Sequence, residues 1–336
     1  MKRKGFKLAL AAVCLLLALL LCLWGASHLI WGRSLQATAY EQILRHRNAH
    51  PRTAEQEDAV LRARLEAGEK PVSLPDGLHF KSEIVETERE GMQFFTLNPD
   101  GPGPLIVFLH GGAYVHGFNV YQWRYMDRLA AATGGTIVAP AYHLAPFGDY
   151  ARAYEDLSGL WADLVAAHPG RRIVLMGDSA GGGLALGLGE SLVKHGARLP
   201  ERLILFSPWV DISMENPDIA AYVPVDPILH LDLVTLHGRY WAGSGDVHDW
   251  QASPLYGDMA GLPPVTIYLG TRELLYPDIL LAHEKLLAAG VEAELRIGRG
   301  LNHDYPLMPL PEAERAFWEV VKLIGTRAAG PQARTR

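Results

Sequence analysis

Gly177-Asp178-Ser179-Ala180-Gly181 follows an apolar run ending at Met176 and opens a small-residue stretch at 181–192. Ile173, Val174 and Leu175 have the composition of a short buried strand, and the small residues after Gly181 suit a helix packed closely beneath a sheet. A strand that turns sharply into a helix at G-x-S-x-G is a nucleophile elbow. A serine hydroxyl is a weak nucleophile near neutral pH, so it must be lifted clear of its neighbours and offered to a base. Ser179 stands at the tip of that turn. Alone, the pentapeptide could equally be a turn or a helix cap; the flanking strand and helix patterns favour catalysis.

A second motif lies upstream, where the apolar run 105–109 ends in His110-Gly111-Gly112-Ala113-Tyr114. Glycines after a strand expose backbone N–H groups, and such groups can hold the negative oxygen of a tetrahedral intermediate. The expected donors are the amides of Gly111, Gly112 and Ala180. A plain glycine turn would look the same by itself, but a strand ending in HGG upstream of a strand ending in GxSxG rarely arises by chance.

Four segments, HGGAY at 110–114, YHLAP at 142–146, GDSAGGG at 177–183 and SPWVD at 207–211, together resemble the hormone-sensitive-lipase-like branch of the α/β-hydrolase esterases. The resemblance covers about residues 105–324. It implies an α/β fold, a mostly parallel sheet with helices on both faces, and a helical cap built from residues 35–70 and 212–250. It also implies a Ser, acid, His order along the chain, which puts both partners of Ser179 downstream.

The strand-like run 265–269 leads into a loop that resembles the family's acid loop with Glu273 at the catalytic place, where Asp is commoner. Asp278 competes for the role, although after Pro277 it also suits the first turn of a helix. His303 follows the strand pattern 293–297 and the loop 298–302, where the family carries its general base. His110 is expected to support the oxyanion loop. The third loop residue is Ala113 where the family commonly has Gly, which would narrow the alcohol side of the pocket.

Tyr114, Phe118, Trp209 and Tyr305 flank the motifs and are either pocket walls or ordinary core. Among the 14 histidines, His116, His143, His230, His237, His248 and His283 have neither HExxH spacing nor a Cys partner, so no metal site is expected. No cofactor is implied.

Lys2, Arg3, Lys4 and Lys7 precede an almost unbroken apolar stretch at 8–30, near the roughly 20 residues needed to cross a bilayer. Residues 1–34 are thus expected to be a signal anchor or a signal peptide cleaved near Ser27, with the enzyme outside the cytoplasm, anchored or secreted. The two cysteines, Cys14 and Cys22, both lie in that stretch, so the domain at 35–329 relies on no disulfide. The net charge of −6 argues against nucleic acid as a partner, and residues 330–336 read as a loose tail. The function expected is a serine carboxylesterase acting on small-molecule short or medium acyl esters. A carbohydrate deacetylase or lactone hydrolase would use the same machinery, and a non-catalytic binding relative is the remaining alternative.

Overall fold

The computed structural model describes residues 21–325 and, before them, residues 10, 13–15 and 18–19. Lys2, Arg3, Lys4 and Lys7, part of the stretch 8–20, and the tail 330–336 lie outside the described residues.

The strands are β1 (Ile84–Arg89), β2 (Met92–Leu97), β3 (Leu105–Leu109), β4 (Thr136–Pro140), β5 (Ile173–Asp178), β6 (Arg202–Phe206), β7 (Val265–Arg272) and β8 (Ala293–Asn302). They form one sheet in the order β1-β2-β4-β3-β5-β6-β7-β8. From β4 to β8 all pairings are parallel, whereas β1 and β2 pair antiparallel with each other and β2 pairs antiparallel with β4. The central strands β3, β5 and β6 are buried along their full length. Leu105, Val107, Leu175, Leu205 and Ile267 join the core on one face of the sheet, while Ile106, Phe108, Val174, Met176 and Ile204 join the core on the other. A sheet covered on both faces needs apolar residues at every position, which is why these runs show no alternation.

The helices are α1 (Leu35–Arg47), α2 (Ala54–Ala67), α3 (Val120–Thr133), α4 (Tyr150–Ala167), α5 (Ser179–Lys194), α6 (Leu231–Ala242), α7 (Tyr276–Ala288) and α8 (Pro311–Gly325). Capping boxes at Thr53 with Gln56 and at Asn119 with Gln122 start α2 and α3. Helix α5, with fourteen buried residues, is the most enclosed; its run of glycines lets it sit close under β5 and β6.

Two differences from the sequence expectation concern strands. The strands expected at 105–109, 173–175, 265–269 and 293–297 are present, and the hairpin β1–β2 is added at the sheet edge; β1 reads IVETER, and its charged, largely exposed pattern carries no buried-strand signal. Residues 298–302, expected as a loop, belong to β8, because Gly298 pairs with Gly270 and, past an irregularity, Asn302 pairs with Arg272. His303 is therefore delivered directly from a strand end.

Helices α1 and α2 pack with the 212–250 segment over the ends of the parallel strands. Tyr240 Oη donates to Asp58 Oδ1 at 2.7 Å, and Asn48 Nδ2 donates to the Pro227 carbonyl at 2.8 Å. Buried Glu41 on α1 pairs with Arg33, with Arg45 at 2.8 Å and with Arg272 at 2.9 Å. That network ties the N-terminal helix to the residue beside Glu273.

Candidate active site

Strand β5 ends at Asp178 and α5 begins at Ser179, which sits in the left-handed region at φ 52°. A strand-to-helix turn this tight brings backbones into contact: a Cβ on Gly177 would overlap the Gly181 carbonyl, and one on Gly181 would overlap the Leu109 carbonyl. Glycine at both places is what lets the turn close, and a non-glycine residue held at positive φ is the strain expected of a functional position.

Ser179 Oγ lies 2.9 Å from His303 Nε2, and His303 Nδ1 lies 2.6 Å from Glu273 Oε2. The three residues come from the ends of β5, β7 and β8, so the parallel sheet itself converges them. All three are buried, with Ser179 7% exposed and Glu273 fully enclosed. The other Glu273 oxygen accepts from Gly270 N at 2.8 Å and from Ser207 Oγ at 3.0 Å, while Ser207 Oγ accepts from Asp304 N at 3.0 Å. Two donors thus hold the carboxylate in the orientation that faces the imidazole.

Asp278 is not part of this chain. It lies in the first turn of α7, 1% exposed, and accepts from Asn216 Nδ2 at 2.7 Å. Burial outweighs that bond and pushes its carboxyl up to about 6.

The oxyanion loop requires one correction. The Gly111 N–H donates to Asp178 Oδ1 at 3.0 Å, so its single proton is already engaged and it leaves the expected donor set. Gln122 Nε2 donates to Asp178 Oδ2 at 2.8 Å, and the Tyr142 hydroxyl donates to the His110 carbonyl at 2.6 Å. Asp178 thereby ties the loop to the nucleophile turn. The amides of Gly112, Ala113 and Ala180 have no acceptor among the described residues. Ala113 and Tyr114 follow one another in the left-handed region at φ 53° and 62°, strain of the kind that clusters at functional sites. His110 is fully buried, donates from Nδ1 to the Gly111 carbonyl at 2.7 Å and stacks on Tyr142; burial lowers it to about 4, so it is a neutral support of the loop.

Asp178, Gln122, Ser207 and Asp304 were not singled out from sequence. The first and third lie inside quoted motifs, and Asp304 follows His303, but nothing in their spacing reveals what each touches. Asp304 Oδ2 is 3.3 Å from His303 Nε2. Burial pushes His303 down, but Asp304 first and Glu273 next outweigh it and hold the imidazole above its ordinary range. Burial drives the Asp304 carboxyl upward against the pull of His303, and the nearby Asp178 and Glu273 add to the rise.

Of the flanking aromatics, Tyr114 stacks on Trp241 at 4.0 Å and 4° and on Trp209 at 5.5 Å, all three in the core on the α5 side of the sheet. Each such pair is worth about 0.5–1.5 kcal/mol beyond burial. Trp209 N donates to the Ser179 carbonyl at 2.8 Å, which sets this stack beside the nucleophile. Phe118 packs on His110 and Trp123, and Tyr305 is buried in the core of the opposite face.

A family profile described as alpha/beta hydrolase fold matches residues 106–307, and the chain belongs to that family, in its hormone-sensitive-lipase-like branch. LipR of Mycobacterium tuberculosis is 33% identical over 231 residues, 67% of this chain and 72% of that protein. An acetyl-hydrolase of Streptomyces hygroscopicus is 33% identical over 221 residues, 64% of this chain and 73% of that one. The crystal structure of an esterase from the bacterial hormone-sensitive lipase family superposes with a TM-score of 0.73 at 26% identity, covering 87% of this chain and 98% of that one. The protein is a carboxylic ester hydrolase.

Proposed function

We propose that Ser179, His303 and Glu273 form the catalytic triad of a serine carboxylesterase acting on short or medium acyl esters. The observation that carries this is the unbroken hydrogen-bond chain from Ser179 Oγ through both ring nitrogens of His303 to Glu273. Ser179 Oγ attacks the ester carbonyl while its proton passes to His303 Nε2. The carbonyl oxygen takes the negative charge and accepts from the amides of Gly112, Ala113 and Ala180. Collapse breaks the ester C–O bond, and the leaving alcohol takes the proton from His303. Water then repeats the sequence on the acyl-enzyme, giving up its proton to His303 and releasing the carboxylic acid.

The acyl range is supported by the nearly closed setting of Ser179, which is 7% exposed. A series of p-nitrophenyl esters from acetate to palmitate is the test. kcat/KM is expected to peak at short to medium chains, and a maximum at palmitate would refute the assignment.

We further propose that residues 8–30 hold the enzyme on the outer side of a membrane. Among the described residues no helix is long and apolar enough to cross a membrane. Support comes from the described part of that stretch, which is helical from 21 to 25 and leaves Leu21, Trp24, Leu29 and Ile30 exposed to solvent. Exposed apolar side chains of this density call for a lipid or protein cover. In fractionated cells the activity should sediment with membranes and carry its original N-terminus; a soluble form starting near His28 would contradict the anchor.

A further inference from the structure

Glu57, His116 and His237 lie far apart in the chain, yet each offers one ligand atom to a cluster in which these atoms all lie within 4.8 Å of one another. Glu57 belongs to α2 and His237 to α6, the two cap helices, while His116 belongs to the turn that follows the oxyanion loop. We propose that these three side chains bind a divalent transition-metal ion of the Zn²⁺ class, clamping the cap onto the oxyanion loop.

Four observations support the site. First, His237 Nε2 and Glu57 Oε1 are 3.4 Å apart. Two ligands at ~2.0–2.1 Å from a tetrahedral ion stand about 3.3–3.4 Å from each other, so this pair already has a metal-ready separation. Second, two imidazoles and one carboxylate make the borderline donor set that selects Zn²⁺ and its neighbours over Ca²⁺ or Mg²⁺, which take oxygen ligands. Third, Glu57 and His237 are 4% and 5% exposed, whereas His116 is open to solvent, so a water could complete the coordination. Fourth, His237 Nδ1 is buried without a hydrogen-bond partner among the described residues, so the long 3.4 Å contact of Nε2 with Glu57 is the hydrogen bond that holds the ring.

The surrounding charges are compatible with binding. Arg52 Nη1 holds the other Glu57 oxygen, Oε2, at 2.8 Å, and Arg64 Nη1 donates to the Val115 carbonyl at 2.6 Å. These two cations oppose a metal ion, which keeps the site from binding as tightly as a purely acidic one; Oε1 faces His237 Nε2 in a 3.4 Å hydrogen bond that a bound ion would replace.

The clamp acts on the oxyanion loop through His116. The amides of Val115 and His116 donate to the Gly112 carbonyl at 3.1 and 2.9 Å, so fixing the imidazole fixes the turn that presents the Gly112 and Ala113 amides. Ligand spacing along the chain carried no sign of this, because the three ligands meet only when the cap closes on the sheet.

The test uses the full-length protein stripped of metal with a chelator and then titrated with Zn²⁺ or Co²⁺. The expected result is one equivalent bound, the intense visible absorption of tetrahedral Co²⁺, and a Tm raised by several degrees. Loss of a ligand should exceed the 10–100-fold typical of outer-shell changes, so His116→Ala should weaken binding at least about 100-fold and abolish the Co²⁺ band. Because His116 is exposed, that variant keeps the fold, and Glu57→Gln checks the carboxylate. Absence of Co²⁺ absorption and of a Tm change in the wild type would overturn the proposal, as would an unchanged band in His116→Ala. Neither result depends on esterase activity.

Discussion

Ser179→Ala is expected to lower kcat for ester hydrolysis by on the order of 10⁶-fold, with only the oxyanion amides and substrate binding left to act. The size follows from the geometry: Ser179 Oγ lies 2.9 Å from His303 Nε2, and a methyl group can neither attack nor release a proton. Covalent labelling by a fluorophosphonate should disappear with it. Circular dichroism and Tm should stay near wild type, since the substitution removes one buried oxygen from a turn whose shape is set by the backbone approaches at Gly177 and Gly181. Turnover above a few per cent of wild type in a homogeneous preparation would assign the nucleophile elsewhere.

His303→Ala is expected to cost about as much as losing Ser179, whereas Glu273→Ala should cost on the order of 10⁴-fold, because a misoriented imidazole still accepts a proton. Asp278→Ala should leave kcat/KM close to wild type and cost about 1–3 kcal/mol of stability through the unpaired Asn216 amide. A crippled Asp278→Ala with a near-normal Glu273→Ala would reverse the assignment of the acid. Asp304 gives the same site a pH signature. His303 works as a base only when neutral, so kcat/KM rises with pH as it loses its proton. Asp304 is the largest influence holding that proton on, and Asp304→Asn should therefore move the acid limb of kcat/KM to lower pH. An unmoved limb would mean that Asp304 is already protonated throughout the working range.

The chemistry of the site was legible where it depends on local backbone shape. A buried strand pattern, a turn that tolerates only small residues, and a helix of small residues specify an elbow at 177–181, and a strand ending in two glycines specifies a loop of exposed amides. These requirements act over a few residues, so the sequence carries them directly. The strands β3, β5 and β7 were legible for a related reason, since burial on both faces demands continuous apolar runs. The hairpin β1–β2 was not, because an edge strand such as 84–89 satisfies its backbone through one neighbour and can carry charge on its exposed face.

Glu273 and His303 came from chain order and resemblance, and Asp278 stayed open until the strand ends were placed in space. An amide's availability was equally hidden: Gly111 and Gly112 are alike in sequence, and only the approach of Asp178 removes the first from the donor set. The same holds for Ser207 behind Glu273, for Asp304 beside His303, and for the convergence of Glu57, His116 and His237. Short-range patterns of burial and backbone freedom encode the fold class, the elbow that carries the candidate nucleophile, and the family. The tertiary structure alone decided which groups hold which others, because hydrogen bonds and ligand clusters join residues that the chain separates and only the packing of cap on sheet brings together.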